Sequence, residues 1–539
     1  MDKKITRRLI VIVVISAITL FYVVNNYLWV HFNNIPPYND GAHHLTNCWR
    51  FINLFSTFDL EWLRAYQQES YPPFYYISSA LIYFLFGKTL FGLLAPNLIF
   101  FVVLLLSIYA IGSKIDNWIT GIIACVLFSL YPHMYAVERI ITIDFALISM
   151  STLSICLLLY SEAFSVLKMN VLFIVSCCLG FLTKQSFVAY IFGPLVVTIW
   201  LYVWLKQKSE KAKILWLIII GGAVIFLLAY LFFYFNSSVL LKIHFRDAYL
   251  YRKDNTVWGY LFYYFFILPQ QIGWPALIVF ISSIIFYLST KPRYKLFMCA
   301  WFFVSNIILI LTPLKLPIYS SPLLPVVAIL SAWGIQRVRW AAVKIFVLTL
   351  LIMFSLALHY MLLYNVSTKL ILNIRSQATS KRFYTTPPYG IAPVRENIHV
   401  PRHNNWIIAQ EQVVQFLLEN VPANSKSVNI GITDLSLQAT SECPWGDLTH
   451  WSSSFTENFH VLNEWGLRYV ITKNRLPFQV TALSSIWKTI DWSSSPYVFF
   501  LASDELGKIA EDAEKYYLLI KTIAFQDNSK IYIYKRKAA

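Results

Sequence analysis

Apolar runs and short polar connectors alternate along roughly the first two thirds of the chain. The runs at 9–28, 214–235 and 341–363 approach or exceed the ~20 residues that cross a ~30 Å hydrocarbon core. Others lie at 72–90, 93–112, 117–134, 143–161, 170–183, 186–205, 271–290, 296–312 and 317–335, with a short one at 259–268. They are continuously apolar rather than alternating, which points to membrane helices and away from a β-barrel. From about 364 the pattern changes. Residues 381–405 are rich in Pro, Asn and Arg and have no helical period. Residues 406–420 read as an amphipathic helix, and Ser427–Ile432, Tyr469–Thr472, Tyr517–Ile523 and Lys530–Tyr534 read as strands.

The connectors decide which runs cross. Lys3, Lys4, Arg7 and Arg8 precede the first run. Lys114, Lys168, the cluster Lys206–Lys213, the cluster Lys291–Lys295, and Arg337 with Arg339 follow. Cytoplasmic loops are the ones that collect Lys and Arg. All these clusters fall on one side only if 72–90 and 259–268 do not cross. The predicted fold is therefore an α-helical polytopic membrane protein with about eleven spanning helices, plus juxtamembrane or re-entrant helices on the outer face. Residues 1–363 form the membrane domain. Residues 364–539 form an extracytoplasmic α/β domain of about 175 residues. The first run is longer than a signal-peptide core and reads as a retained anchor.

Composition agrees. The chain is 58% hydrophobic and 13% charged, against about 25% charged for soluble domains. The net charge of +17 sits largely in cytoplasmic loops. It reads as orientation and contact with anionic lipid, not as nucleic-acid binding. The seven Cys show no metal-ligand spacing and mostly lie inside apolar runs. Cys48 and Cys443 both fall on the outer face, where they can pair.

The same topology gathers Asp40, His43, His44, Glu138, Arg139, Asp144, Lys184 and Lys315 on the outer face. Asp40 follows Pro36-Pro37 and suits either a general base or a helix N-cap. Asp40, His43 and His44 share a helix face at i, i+3 and i+4, so a divalent metal is an alternative reading. Glu138, Arg139 and Asp144 form either a mutual surface ion pair or part of a site. Lys184 and Lys315 sit at helix ends, where a lone Lys snorkels to headgroups. Two such Lys together with Arg139 can instead hold a phosphate, Lys as a point charge and Arg as a fork. Tyr71-Pro72-Pro73-Phe74-Tyr75-Tyr76 reads as an interfacial anchor or as one wall of a lipid groove. No Walker or Rossmann glycine pattern is present.

In this order, Asp40, the Tyr71–Tyr76 motif, Glu138-Arg139 with Asp144, Leu182-Thr183-Lys184 and Leu314-Lys315-Leu316-Pro317-Ile318-Tyr319 resemble the GT-C glycosyltransferases that use polyprenyl-phosphate sugars. The branch most like it contains the protein mannosyltransferases and the lipid A aminoarabinose transferases. The resemblance covers residues 1 to about 335. It implies Asp40 as catalytic base, and Arg139, Lys184, Lys315, His43, His44, Glu138, Asp144 and Tyr319 as the substrate and phosphate site. Gly41, Tyr71 and Gln185 stand where family members often have Glu, Lys and Gly. The expected activity is transfer of a sugar from a polyprenyl-phosphate donor to a lipid, glycan or protein hydroxyl outside a bacterial inner membrane. It inverts the anomeric carbon and needs no cofactor unless a divalent metal takes part. Two other classes compete. A transporter calls for charges at mid-membrane and inverted repeats, and a non-catalytic sensor would use its outer domain as receptor.

Overall fold

The structure, a computed structural model, describes residues 3–32, 40–66, 71–87, 89–205, 221–222, 261–312, 317–363, 415–416, 419, 428–434, 478–482, 497–502, 517–524 and 530–537. The chain divides into two compact units. One comprises Met1–Val30, Arg64–Thr368 and Pro387–Val394; the other comprises His31–Leu63, Lys369–Thr386 and Arg395–Ala539. Residues 31–63 therefore group with residues of the C-terminal part.

The first unit is helical. Its helices are α1 (Lys3–Phe32), which enters the other unit in its last turn, α4 (Phe74–Phe86), α5 (Leu90–Ile115), α6 (Trp118–Ser129), α7 (Pro132–Glu138), α8 (Ile143–Tyr160), α9 (Leu167–Phe181) and α10 (Phe187–Leu205). After these come α11 (Tyr263–Ile272), α12 (Trp274–Ser289), α13 (Lys295–Leu311), α14 (Leu324–Arg337) and α15 (Ala341–Leu363). Among the described residues, five helices are long and apolar enough to cross a membrane, or six if α6 and α7 form one bent span. Every predicted span except 214–235 coincides with an apolar helix; that one lies outside the described residues but for two glycines.

The two runs that the charge phase keeps from crossing are short. Helix α4 has 13 residues and α11 has 10. At 1.5 Å per residue they reach ~20 Å and ~15 Å, less than the hydrocarbon core.

Where the structure departs from a straight helix, the backbone chemistry gives the reason. The run 117–134 bends by 68° between α6 and α7. Pro132 drives its predecessor out of helical geometry, and Tyr131 sits at φ −66°, ψ 127°. The Pro then suits the first turn of α7. The run 317–335 opens as a 3-10 turn over Pro317–Leu323, which contains two prolines. Helix α13 carries a π-turn at Ala300–Val304.

The core forms where α5 packs against α4, α6 and α8, while α14 packs against α6 and α12. Helix α10 lies on the π-turn so closely that a Cβ at Gly193 would stand 2.5 Å from the Ala300 carbonyl oxygen. On the face of the Lys/Arg clusters, Lys114 meets Glu162 at 2.7 Å, and Arg337 meets Asp116 at 2.8 Å. The hydrogen bond from Lys114, and then its charge, hold the Glu162 carboxyl below its ordinary value.

The second unit contains α2 (Asp40–Thr57), the first half of α3 (Glu61–Tyr66) and a five-stranded mixed sheet. The strands are β1 (Val428–Asp434), β2 (Phe478–Ala482), β3 (Tyr497–Ala502), β4 (Tyr517–Ala524) and β5 (Lys530–Arg536), in the order β2-β1-β3-β5-β4. Strand β1 pairs parallel with β2 and β3, whereas β5 pairs antiparallel with β3 and β4. Strands β1, β4 and β5 match sequence readings. The strand read at 469–472 and most of the helix read at 406–420 lie outside the described residues.

Gly193→Val should destabilise the first unit by about 1–3 kcal/mol, the usual result of forcing methyl groups into a packed contact. Thermal unfolding in detergent measures this; a variant with unchanged melting would contradict the α10 packing.

Candidate active site

Two polar clusters are buried at one end of the first unit. The first is built by the α9–α10 turn. Helix α9 ends at Phe181, and the Lys184 amide still bonds back to the Gly180 carbonyl at 3.2 Å. A Cβ at Gly180 would fall 2.2 Å from the Phe187 ring, so the tight turn requires glycine there. The Phe74 amide donates to the Leu182 carbonyl at 3.0 Å, which ties the start of α4 to the same turn.

This turn delivers Lys184 to Asp144, in the first turn of α8. Lys184 Nζ donates to Asp144 Oδ1 at 2.6 Å, and both side chains are about one-tenth exposed. The Tyr319 and Tyr71 rings flank the ammonium at 5.3 and 5.8 Å. Both contacts lie within cation–π range. Tyr319 belongs to the 3-10 turn before α14. Tyr190 donates to the Tyr319 carbonyl at 2.7 Å. Gln271 donates to the Pro317 carbonyl at 2.8 Å and accepts from Ser320 at 3.0 Å.

The second cluster surrounds the turn between α7 and α8. Glu138 is fully buried and Arg139 nearly so. Asn26, near the end of α1, donates through Nδ2 to both Glu138 oxygens, at 2.6 and 2.7 Å. Arg139 Nε donates to Asn26 Oδ1 at 3.2 Å. Asn97 donates to the Glu138 carbonyl at 2.7 Å and to the Ile140 carbonyl at 3.1 Å, fixing the turn from α5. The Tyr135 ring lies 5.8 Å from the Arg139 guanidinium carbon.

The structure thus divides what the sequence groups together. Asp144 bonds to Lys184, forty positions away, while Glu138 and Arg139 share Asn26. Asn26, Asn97, Tyr190 and Gln271 escape a sequence reading that follows charge. The signal available for Asn26 is an amide inside an otherwise apolar run, which needs a partner when buried.

Asp40, His43 and His44 belong to the second unit. Asp40 is the first residue of α2. His43 is half-buried, with Nε2 3.4 Å from Asn47 Nδ2. His44 is buried, and its ring lies 5.6 Å from that of His43. Arg50 donates to Asn47 Oδ1 at 2.7 Å. Lys315 lies outside the described residues. So does Cys443, whose suggested partner Cys48 is buried on α2. Among the described residues no three His, Cys, Asp or Glu side chains come together in a metal-binding group.

Residues 70–232, which carry both buried clusters apart from Asn26, Gln271 and the 3-10 turn, match the family model of dolichyl-phosphate-mannose-protein mannosyltransferase. No curated protein matches the chain. The fold resembles that of ArnT from Cupriavidus metallidurans bound to undecaprenyl phosphate, with a TM-score of 0.59, 12% identity and 97% of each chain covered. The apo state of ArnT gives a TM-score of 0.56 and 14% identity over the same shares. The GT-C resemblance read from the motifs is borne out.

A buried ion pair that loses one partner leaves an uncompensated charge, which costs about 3–5 kcal/mol. Asp144→Ala should lower stability by that amount, whereas breaking the half-exposed Arg337–Asp116 pair should cost about 1 kcal/mol or less. Asp144→Asn combined with Lys184→Met should recover most of the loss. Thermal melts of the three variants decide; equal losses for the two pairs would contradict the burial argument.

Proposed function

We propose that this chain is an integral membrane glycosyltransferase. It moves a sugar from a polyprenyl-phosphate donor to an acceptor hydroxyl on the extracytoplasmic face. The observation that carries this reading is the buried pair of Lys184 and Asp144, beside Tyr319 and within the segment matching the mannosyltransferase model. A lipid phosphate needs cations at a membrane surface, and the energy of burying them there has to be offset by partners.

In the proposed reaction Asp40 takes the proton of the acceptor hydroxyl. The hydroxyl oxygen attacks the anomeric carbon as the bond from that carbon to the phosphate oxygen breaks. The electron pair leaves with the polyprenyl phosphate, and a single displacement inverts the carbon. Lys184, Arg139 and Lys315 stabilise the charge that develops on the departing phosphate. Asp144 orients Lys184, and Tyr319 with Tyr71 walls the ammonium. Glu138 orients the Arg139 region, and His43 and His44 extend the acceptor side of α2. No step requires a metal. The acceptor is a lipid, glycan or protein hydroxyl.

The topology proposed with this function has about eleven spanning helices, as the charge phase requires. It puts the second unit outside a bacterial inner membrane. ArnT from Cupriavidus metallidurans binds undecaprenyl phosphate, and the fold likeness supports a lipid-phosphate donor here.

The test is Asp40→Asn. Purified variant should keep the wild-type melting profile and lose transfer from a polyprenyl-phosphate sugar by about 10²–10⁴-fold, the usual contribution of a general base. Full activity would remove Asp40 from the mechanism.

A further inference from the structure

Asn26 has no place in the mechanism above, yet it joins two buried charges. Glu138 can only accept hydrogen bonds when ionised, and the Arg139 guanidinium can only donate. A residue that links them must donate at one end and accept at the other. The Asn26 amide does both, with Nδ2 on the carboxylate at 2.6 and 2.7 Å and Oδ1 on Arg139 Nε at 3.2 Å. The chemistry of the partners leaves no other orientation of that amide.

The surroundings immobilise the link. Asn26 is 2% exposed and Glu138 is 0% exposed. Asn97 clamps the carbonyls on either side of Arg139. One turn earlier on α1, Tyr22 donates to the Ser129 carbonyl at 2.5 Å and stacks on Phe101. With the backbone and Nε both held, the direction of the two Nη groups follows from Asn26.

We propose that Asn26 is a positioning residue for the donor-phosphate site, aiming the Arg139 guanidinium through its bridge to Glu138. The inference rests on the proposed transferase reading and deepens it. Arg recognises phosphate through a planar fork, so direction matters as much as charge. Asn26→Asp keeps the acceptor for Arg139 but replaces the donor with a like charge beside Glu138. Asn26→Leu removes both bonds. Combining Asn26→Asp with Glu138→Gln reverses the order of donor and acceptor at unchanged net charge: the new amide donates to Asp, and Arg139 still finds an acceptor.

The experiment measures kcat and the KM for donor and acceptor on detergent-purified, monodisperse protein, with a polyprenyl-phosphate sugar as probe. Binding of polyprenyl phosphate alone is followed by its protection against thermal unfolding. Asn26→Asp and Asn26→Leu should each raise the donor KM about tenfold or more, the scale of one charged hydrogen bond, and leave the acceptor KM unchanged. The Asn26→Asp/Glu138→Gln double variant should return the donor KM to within about threefold of wild type. A structural role alone lowers the active fraction, hence apparent kcat, and moves neither KM. Wild-type donor KM in both single variants overturns the inference, as does a double variant no better than Asn26→Asp. Those results leave the proposed function standing if the wild type transfers sugar. A wild type that neither transfers sugar nor binds polyprenyl phosphate removes the function and this inference together.

Discussion

A charged side chain enclosed by apolar helices is stable only beside a partner that satisfies it, and the first unit is organised around two such arrangements. Lys184 and Asp144 neutralise each other directly at 2.6 Å. Glu138 and Arg139 are joined through a neutral amide. Each needs several helices to meet with good geometry. The α9–α10 turn brings Lys184, the first turn of α8 brings Asp144, and the end of α1 brings Asn26. The bend at Pro132 sets α7 at 68° to α6 and ends it at Glu138, followed by Arg139.

Under the proposed function, these arrangements store cations for an anionic substrate. An unpaired ammonium would be costly in so buried a position. Pairing Lys184 with Asp144 offsets that cost, and an ammonium can donate to more than one acceptor. In the proposed reaction the lipid phosphate supplies the further negative charge. Tyr319 and Tyr71 contribute polarisable faces without adding charge.

Much of this order was legible beforehand, for identifiable reasons. Apolar length locates helices, and the Tyr131-Pro132 step carries the information for the break in what reads as one run. The sheet was legible where aromatic and β-branched residues concentrate, as in β4 and β5. Strands β2 and β3 are the shortest, at five and six residues; β2 alternates only over that length, and β3 is continuously apolar, a pattern strands share with buried helices. The charged residues of the site stand out because charge is rare in such a chain. Their pairing did not, because Glu138, Arg139 and Asp144 are close in sequence while the true partner of Asp144 comes from another helix pair. Asn26 gave no electrostatic signal at all; only burial reveals that its amide has work on both sides.

The central claim is that these buried charges form one site for a lipid phosphate. A structure of the full chain with polyprenyl phosphate bound tests it most directly. The account predicts the phosphate within hydrogen-bond distance of Lys184 Nζ and facing the Arg139 guanidinium, with the prenyl chain running along the apolar helices. A phosphate seated away from both residues, with the Lys184–Asp144 pair unchanged, would contradict it.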